Sequence, residues 1–463
     1  MMENKLLLEK LKQLKEVDNA LSFDNQNPDI YRKRALVFQE LGCDSLAQYD
    51  NRICAYLENR IDIEHYNRNY QAVISKDYFA KIYQSESHTH YYEIFFDILQ
   101  NDNALLKEKI DPIHFALRSG NATLLGLFNL ALRDCNDAMR YLADFKEEHA
   151  IATLNKALLL LLTGDYENGW KLYESRWETN YKTFKNPIIL PKPKWQGESL
   201  NAESRLLIHS EQGIGDNIQF VRYAIYLKQQ GVNVLVWNNE HINDFLTANL
   251  AEYGIPTAKF GDIVQFTHWV SMMSLPHLCQ TTLENIPLTA KYLKALSGYL
   301  QKWKEKLPLV PNKMKIGIVW RGGSKTDTDK IRSIPFSLFS QLFSLNAEFY
   351  VLQKEVRSEE AEKLKCYANV HDLHAELESF SDTSAIIEQM DLVICVDTSV
   401  AHLAAAMGKP TWILINYKPD FRWLLNRENS IWYDSVQLFR QEIDYDWNKV
   451  IWQVHTYLKE CLC

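Results

Sequence analysis

Hydrophobic and polar positions change rhythm midway along the chain. Up to about residue 180, apolar side chains recur every three or four positions, the spacing of amphipathic helices with short connections. Beyond about residue 204, short apolar blocks alternate with helical stretches. The blocks read as buried strands over Arg205–Ser210, Val232–Trp237, Lys315–Trp320, Ala347–Gln353, Asp391–Asp397 and Pro410–Ile415, with an amphipathic helix over Asn217–Gln230. The stretch to about residue 300 is less regular. Strands alternating with helices predict doubly wound parallel sheets, and two such rounds in series predict a cleft at the strand C-terminal ends. The expected layout is a helical domain over 1–180, a proline-broken connection over 181–203, and two α/β domains over 204–310 and 311–463.

The helical domain carries a recurring pattern. A small residue is followed seven positions later by a glycine or turn, and five after that by another small residue. Ala35, Gly42 and Ala47 form one copy and Ala157, Gly164 and Gly169 another, with Gly126 and Ala138 as a degraded copy lacking the middle glycine. Small residues let two helices approach and the glycine permits the turn, so the pattern predicts helix hairpins. Tyr166, Trp170, Tyr173 and Trp177 fall on one face of the last of them. These features resemble tetratricopeptide repeats, whose stacked helix pairs present a concave binding surface.

Composition sharpens the division. Of 16 glycines in 463 residues, three precede Gly164, and all twelve tryptophans lie at or after Trp170. An aromatic content of 12% argues against disorder. The longest apolar run, Ala157–Leu162, is far short of the roughly 20 residues a membrane span needs, and Met1–Lys15 has no apolar signal core. A cytoplasmic protein without a transmembrane segment is expected. The net charge of −8, with no basic run, argues against broad nucleic-acid binding. Eight scattered cysteines without a C-x-x-C pair suit reduced thiols, and no metal site is expected.

Three loops carry candidate chemistry. In HSEQGIGDNIQF, Gly213 and Gly215 sit between a strand and a helix, where free N–H groups favour an anion. The dinucleotide fingerprint needs a third glycine where Ile218 stands, and no acidic residue closes the next strand, so a nicotinamide enzyme is disfavoured. Asp216 lies at the mouth of this turn as a candidate base or a simple helix cap, with His209 and Glu211 close in sequence and able to tune it. In VWRGGSKTDTDKIRSIP, a Gly322–Gly323 turn with Arg321, Lys325, Lys330 and Arg332 suits a diphosphate. In DLVICVDTSVAHLAAAMG, a strand ends at Asp397, and Thr398, Ser399, Val400 and Ala401 open a small-residue helix whose first N–H groups form an anion cradle. His402 follows in the first turns, as a ligand or a structural histidine. The two glycine pairs are expected to face each other across the cleft.

The ordered motifs GDYENGWKLYESRW, PKWQGESL, HSEQGIGDNIQFVRYA, IGIVWRGG with RSIP, LQKE, VDTSVAHLAAAMGKPTWIL and DFRWLL resemble tetratricopeptide-repeat proteins fused to a heptosyltransferase-like glycosyltransferase. The resemblance covers roughly residues 150–450. It implies a GT-B fold, two Rossmann-like domains with the donor held mainly by the second and an acceptor facing the first, and an inverting transfer that needs no metal or other cofactor. Asp216 then corresponds to the base. Trp320, Arg321, Lys325, Arg332, Gln353, Lys354 and the Asp397, Thr398, Ser399, Val400, Ala401, His402 loop correspond to the donor side. Glu211, Gln212, Gly213 and Gly215 line the acceptor side. The implied donor is a nucleotide sugar such as ADP-heptose and the implied acceptor a protein or surface glycan. Glu355 departs from the small residue the family places after LQK. A scaffold with an inactive transferase-like domain is the alternative.

Overall fold

A computed structural model describes residues 4–58, 113–179, 190–259, 262–308, 310–323 and 332–462, with short pieces between 71 and 110. The front is helical: Asn4–Ala20, Pro28–Glu40, Asp44–Leu57, Ile113–Leu124, Phe128–Tyr141, Lys146–Thr163 and Tyr166–Tyr173. Gly42, Gly126 and Gly164 all adopt left-handed φ, at 76°, 74° and 96°. After each, the next N–H closes the turn: Cys43 onto Phe38 O, Leu127 onto Ala122 O and Asp165 onto Leu160 O, at 2.8, 2.8 and 2.9 Å. This is the helix-ending geometry that glycine makes accessible. The middle copy is therefore not degraded. Gly126 is its turn residue, not its first small residue, and the hairpin runs from Ile113–Leu124 into Phe128–Tyr141. The need for small residues is visible at Gly169, where a Cβ would come within 2.8 Å of the Leu161 side chain.

A second repeated device is electrostatic. Buried Arg34 grips Asp50 with Nε and Nη2 (2.7 and 2.8 Å) and Asp18 with Nη1 (2.6 Å). Arg118 does the same to Asp134 (2.8 and 2.9 Å) and Asp102 (2.6 Å). Within each set the acids stand 16 residues either side of the arginine. The planar guanidinium fork satisfies two carboxylates at once, which compensates the cost of burying charge and fixes the helix register.

The back holds two all-parallel sheets. The first contains β1 (Leu206–His209), β2 (Val234–Asn238), β3 (Thr257–Lys259) and β4 (His268–Ser271), in the order β3-β2-β1-β4. The second contains β5 (Lys315–Val319), β6 (Glu348–Val351), β7 (Val370–Asp372), β8 (Leu392–Val396), β9 (Thr411–Ile415) and β10 (Val436–Arg440), in the order β10-β9-β8-β5-β6-β7. All six expected strands form, their ends shifted by a residue or two. Four further strands (β3, β4, β7 and β10) escaped the sequence pattern: β3 and β7 have three residues each, β4 (HWVS) has four, and β10 (VQLFR) breaks its apolar run with a glutamine. The expected Asn217–Gln230 helix is instead two, Ile214–Phe220 and Arg222–Gln229. Each sheet reverses its winding once, β1 lying between β2 and β4 and β5 between β6 and β8. Crevices open at such reversals.

The helical and α/β domains share a core. Of the proline-broken connection, residues 181–189 lie outside the described residues. The remainder is no free linker: Trp195 is buried and donates its N–H to Trp269 O at 2.8 Å, extending the edge of the first sheet. Trp170 from the helical domain packs edge-on against Phe220 of the first α/β domain and against Phe421 and Trp432 of the second, at 5.9, 5.4 and 6.5 Å between centroids. Trp432 also donates to Tyr166 Oη at 3.1 Å. Farther forward, Tyr417 and Tyr445 donate to the Leu125 and Leu124 carbonyls at 3.1 and 2.8 Å. The helical domain is thus wedged against both α/β domains. Among the described residues no helix is long and apolar enough to cross a membrane.

Candidate active site at the domain cleft

The Ile214–Phe220 helix follows β1 and the Ser399–Ala406 helix follows β8. The two meet across the cleft at Gly215. A Cβ there would lie 2.9 Å from His402 Cδ2 and 3.6 Å from Ser399 Cα. The glycine lets two helix starts, each with unsatisfied N–H groups and positive dipole ends, come together. The turn that Gly215 touches is the Ser399–His402 turn.

Asp216 lies one residue on. Its Oδ2 accepts the Gly213 N–H at 2.8 Å, so it does cap its helix. Its Oδ1 accepts Arg422 Nη2 from the other α/β domain. Arg422 spreads its fork over three groups: Nη2 to Asp216, Nη1 to Asp420 Oδ1 (2.7 Å) and Nε to Gln219 Oε1 (2.7 Å). Burial raises the Asp216 carboxyl above its ordinary range, and the Arg422 charge pulls the other way. Arg422 and Asp420 follow β9 in a segment where Leu424 is forced to φ 49°. Their only sequence signal is the DFRWLL motif, which contains the acid and the arginine but not their partner 200 residues upstream.

Across the cleft, Asp397 directly follows β8 and Thr398 caps the Ser399–Ala406 helix with an extended backbone (φ −147°). The first N–H groups of that helix have no acceptor within it, as at any helix start. Thr398 Oγ1 donates back to Val396 O at 3.2 Å. Val400 and Ala401 are buried, packing this helix start into the core. Arg332 holds the loop by donating Nη1 to Asp397 O at 2.8 Å. Burial first, and the neighbouring Asp420 second, raise the Asp397 carboxyl to about 6.

His402 is buried behind this loop. Its Nδ1 lies 2.9 Å from Tyr433 Oη and its ring stacks on Trp423 at 5.3 Å. Burial, with Arg422, Arg222 and Arg332 nearby, drives its pKa well below the ordinary value. The packed imidazole braces the turn from behind. Arg222, which the sequence did not single out, sits beneath it, fully buried. It donates to Trp432 O (2.7 Å) and Tyr292 Oη (3.0 Å) with Tyr433 against its face at 4.7 Å.

Other expected site residues have structural work. The Trp320 side chain is fully buried and packs on Phe336 at 5.3 Å in the second core, so it cannot touch a donor. Gln353 is buried and straps the loop after β5, its Oε1 accepting the Trp320 and Arg321 N–H groups at 3.2 and 3.0 Å. Arg321 turns toward Glu360 (3.3 Å) and the Glu355 carbonyl (2.8 Å). Lys354 donates to Leu377 O. Lys325 and Lys330 lie outside the described residues. Glu211 pairs with buried Arg176 (3.0 Å) and accepts from Ser271, and Gln212 reaches Tyr173 Oη at 2.9 Å, so this end of the turn ties the α/β domain to the helical domain. His209 lies under the ring of Trp269 at 5.6 Å rather than beside Asp216.

Residues 346–420 match the family described as glycosyltransferase family 9 (heptosyltransferase). That match supports a glycosyltransferase. The matched segment runs from β6 through the Asp397–His402 loop to Asp420. Protein FlbA of Caulobacter vibrioides is 25% identical over 364 residues, covering 73% of this chain and 59% of its own length. The chain thus spans less than two thirds of that relative. Among solved structures, the ADP-heptose lipopolysaccharide heptosyltransferase II of Escherichia coli is 12% identical with a TM-score of 0.42, covering 56% of this chain and 98% of its own. The iron-containing dodecameric glycosyltransferase TibC of enterotoxigenic E. coli is 11% identical with a TM-score of 0.37, covering 58% and 78%.

Proposed function

We propose that the chain is an inverting, metal-independent GT-B glycosyltransferase that moves a sugar from a nucleoside-diphosphate sugar to a hydroxyl of a protein or surface glycan. The observation that carries this is the meeting, at Gly215, of a carboxylate-bearing helix start with the free N–H groups of the Ser399–Ala406 helix. Asp216 Oδ1 takes the acceptor hydroxyl proton, and the acceptor oxygen forms the new bond to the anomeric carbon. The bond from that carbon to the diphosphate breaks with its electron pair going to the phosphate oxygen. Helix N–H groups around Thr398–Ala401 stabilise the charge that develops there. Asp397, Arg332 and His402 hold the cradle in shape. The family description makes a heptose donor such as ADP-heptose the first to try, and the helical domain, read as tetratricopeptide-like, holds the acceptor or a partner protein.

A thermal-shift screen against ADP, UDP, GDP, CDP and NAD tests this reading. Stabilisation by one nucleoside diphosphate is expected, followed by loss of transfer but not of nucleotide binding in Asp216→Asn. Stabilisation by NAD alone would overturn it. The alternative of a scaffold with an inactive transferase-like domain predicts no shift with any of the five.

A further inference from the structure

Arg422 is placed to do more than tie two domains together. Its three donor atoms are divided: Nε and Nη1 are taken by Gln219 and Asp420, whereas Nη2 goes to Asp216, the carboxylate read above as the base. Asp216 Oδ1 accepts the guanidinium and Oδ2 the Gly213 N–H, which leaves one lone pair on each oxygen. The arginine charge beside Oδ1 lowers its affinity for a proton, so in this arrangement Asp216 is a weak base. Trp423, the chain neighbour of Arg422, stacks on His402 at 5.3 Å, and the Asp216 turn meets the Ser399–His402 turn at Gly215. Arg422 thus bonds the base from a segment that also packs against the cradle helix and is strained at Leu424.

Resting on the proposed transfer reaction, we infer that Arg422 is a positioning residue that latches Asp216 until the donor arrives. A diphosphate seated at Thr398–Ala401 offers Nη2 a stronger anionic acceptor. The guanidinium pivots on its bonds to Gln219 and Asp420 and hands Nη2 from Asp216 to the phosphate. Two consequences follow together. Asp216 Oδ1 is released to accept the hydroxyl proton, and the leaving phosphate gains a cation as its negative charge grows. Donor binding is thereby coupled to arming of the base, which restricts proton abstraction to the loaded enzyme.

The latch has a signature that a brace would lack. Asp216 is faced by Arg422 and Asp420 from the second α/β domain, by His402 across the Gly215 contact, and by Glu211 and the Gly213 N–H from its own turn. Of these, only Arg422 changes partner. Losing an adjacent arginine moves a carboxylate upward by about 1–3 pH units. The acid limb of kcat/KM reports the free enzyme and that of kcat reports the complex. In the wild type, the kcat limb is therefore expected to lie at least about one pH unit above the kcat/KM limb. In Arg422→Ala both limbs should coincide near the upper position, with donor affinity down roughly tenfold. Arg422→Lys, which keeps the charge and loses the fork, should retain some of the separation, and it serves if the alanine variant does not fold.

The assay is hydrolytic release of nucleoside diphosphate from ADP-heptose, with ADP-, UDP- and GDP-glucose alongside, over pH 4.5–8.5, the hydroxyl of water taking the sugar in the acceptor's place. Release with coincident limbs in the wild type, or limbs unmoved in Arg422→Ala and Arg422→Lys, overturns the latch and leaves the transfer reaction standing. Release retained in Asp216→Asn, or absent from all four donors, overturns the transfer reading itself.

Discussion

Replacing Gly215 by alanine isolates the contact on which the site depends. The added Cβ would lie 2.9 Å from His402 Cδ2, about 0.5–1 Å inside an ordinary carbon–carbon contact. The imidazole has little room to yield, since it stacks on Trp423 and its Nδ1 is bonded to Tyr433 Oη. The two helix starts must separate instead. Overpacking of this kind costs about 1–3 kcal/mol, and alanine returns up to about 1 kcal/mol of helix propensity, so the net destabilisation is about 0–2 kcal/mol. Function is far more sensitive. A misplacement of about 1 Å between reacting groups can lower turnover roughly 100-fold. The expected result is turnover down about 30- to 100-fold with a urea-unfolding free energy within about 2 kcal/mol of wild type. Gly120→Ala is the control, because nothing lies within 4 Å of its added carbon. Wild-type turnover in Gly215→Ala, or equal losses in both variants, would refute the argument that this contact sets the site.

The buried clamps give a stability prediction. Arg118→Ala strips Asp134 of its bidentate cation and should cost about 3–5 kcal/mol by urea unfolding, with Arg34→Ala costing a similar amount; a loss under about 1 kcal/mol would refute the clamp's role. Asp397 gives a pH prediction. Its folded-state pKa is raised to about 6 from 3.8, so its favourable contribution is present in full below the lower value and is lost as pH rises through the upper. Asp397→Asn should therefore gain stability relative to wild type between pH 4.5 and 7.5, on the order of 2 kcal/mol. Parallel wild-type and variant pH profiles would contradict the raised value.

Much of the fold was legible along the chain. The change of apolar rhythm marks the helical front and the α/β back, because a helix buries every third or fourth residue and a parallel strand buries a continuous run. The strands flanking the site were readable for that reason, and so was the Asp397–His402 turn, whose chemistry is local. Gly126 was misread because its copy keeps the turn glycine while Ser119 replaces the small alanine seen at Ala35. Trp320 and Gln353 were placed on the donor side by the family resemblance, and both fall at strand ends. Which way a strand-end side chain points depends on the neighbouring layers, and those place Trp320 against Phe336 and Gln353 against the loop backbone.

The periodicities, the helix-ending glycines and the strand–turn–helix loops were all written locally in the chain. These are interactions among neighbours, where a residue's own backbone preferences decide the outcome. Which loops meet was settled by packing alone. It set Gly215 against His402, joined Asp216 to Arg422 from the far side of the cleft, and lodged Trp170 between both α/β domains. Contacts between residues so distant in the chain follow from how the packed layers orient one another, a property that no local pattern encodes.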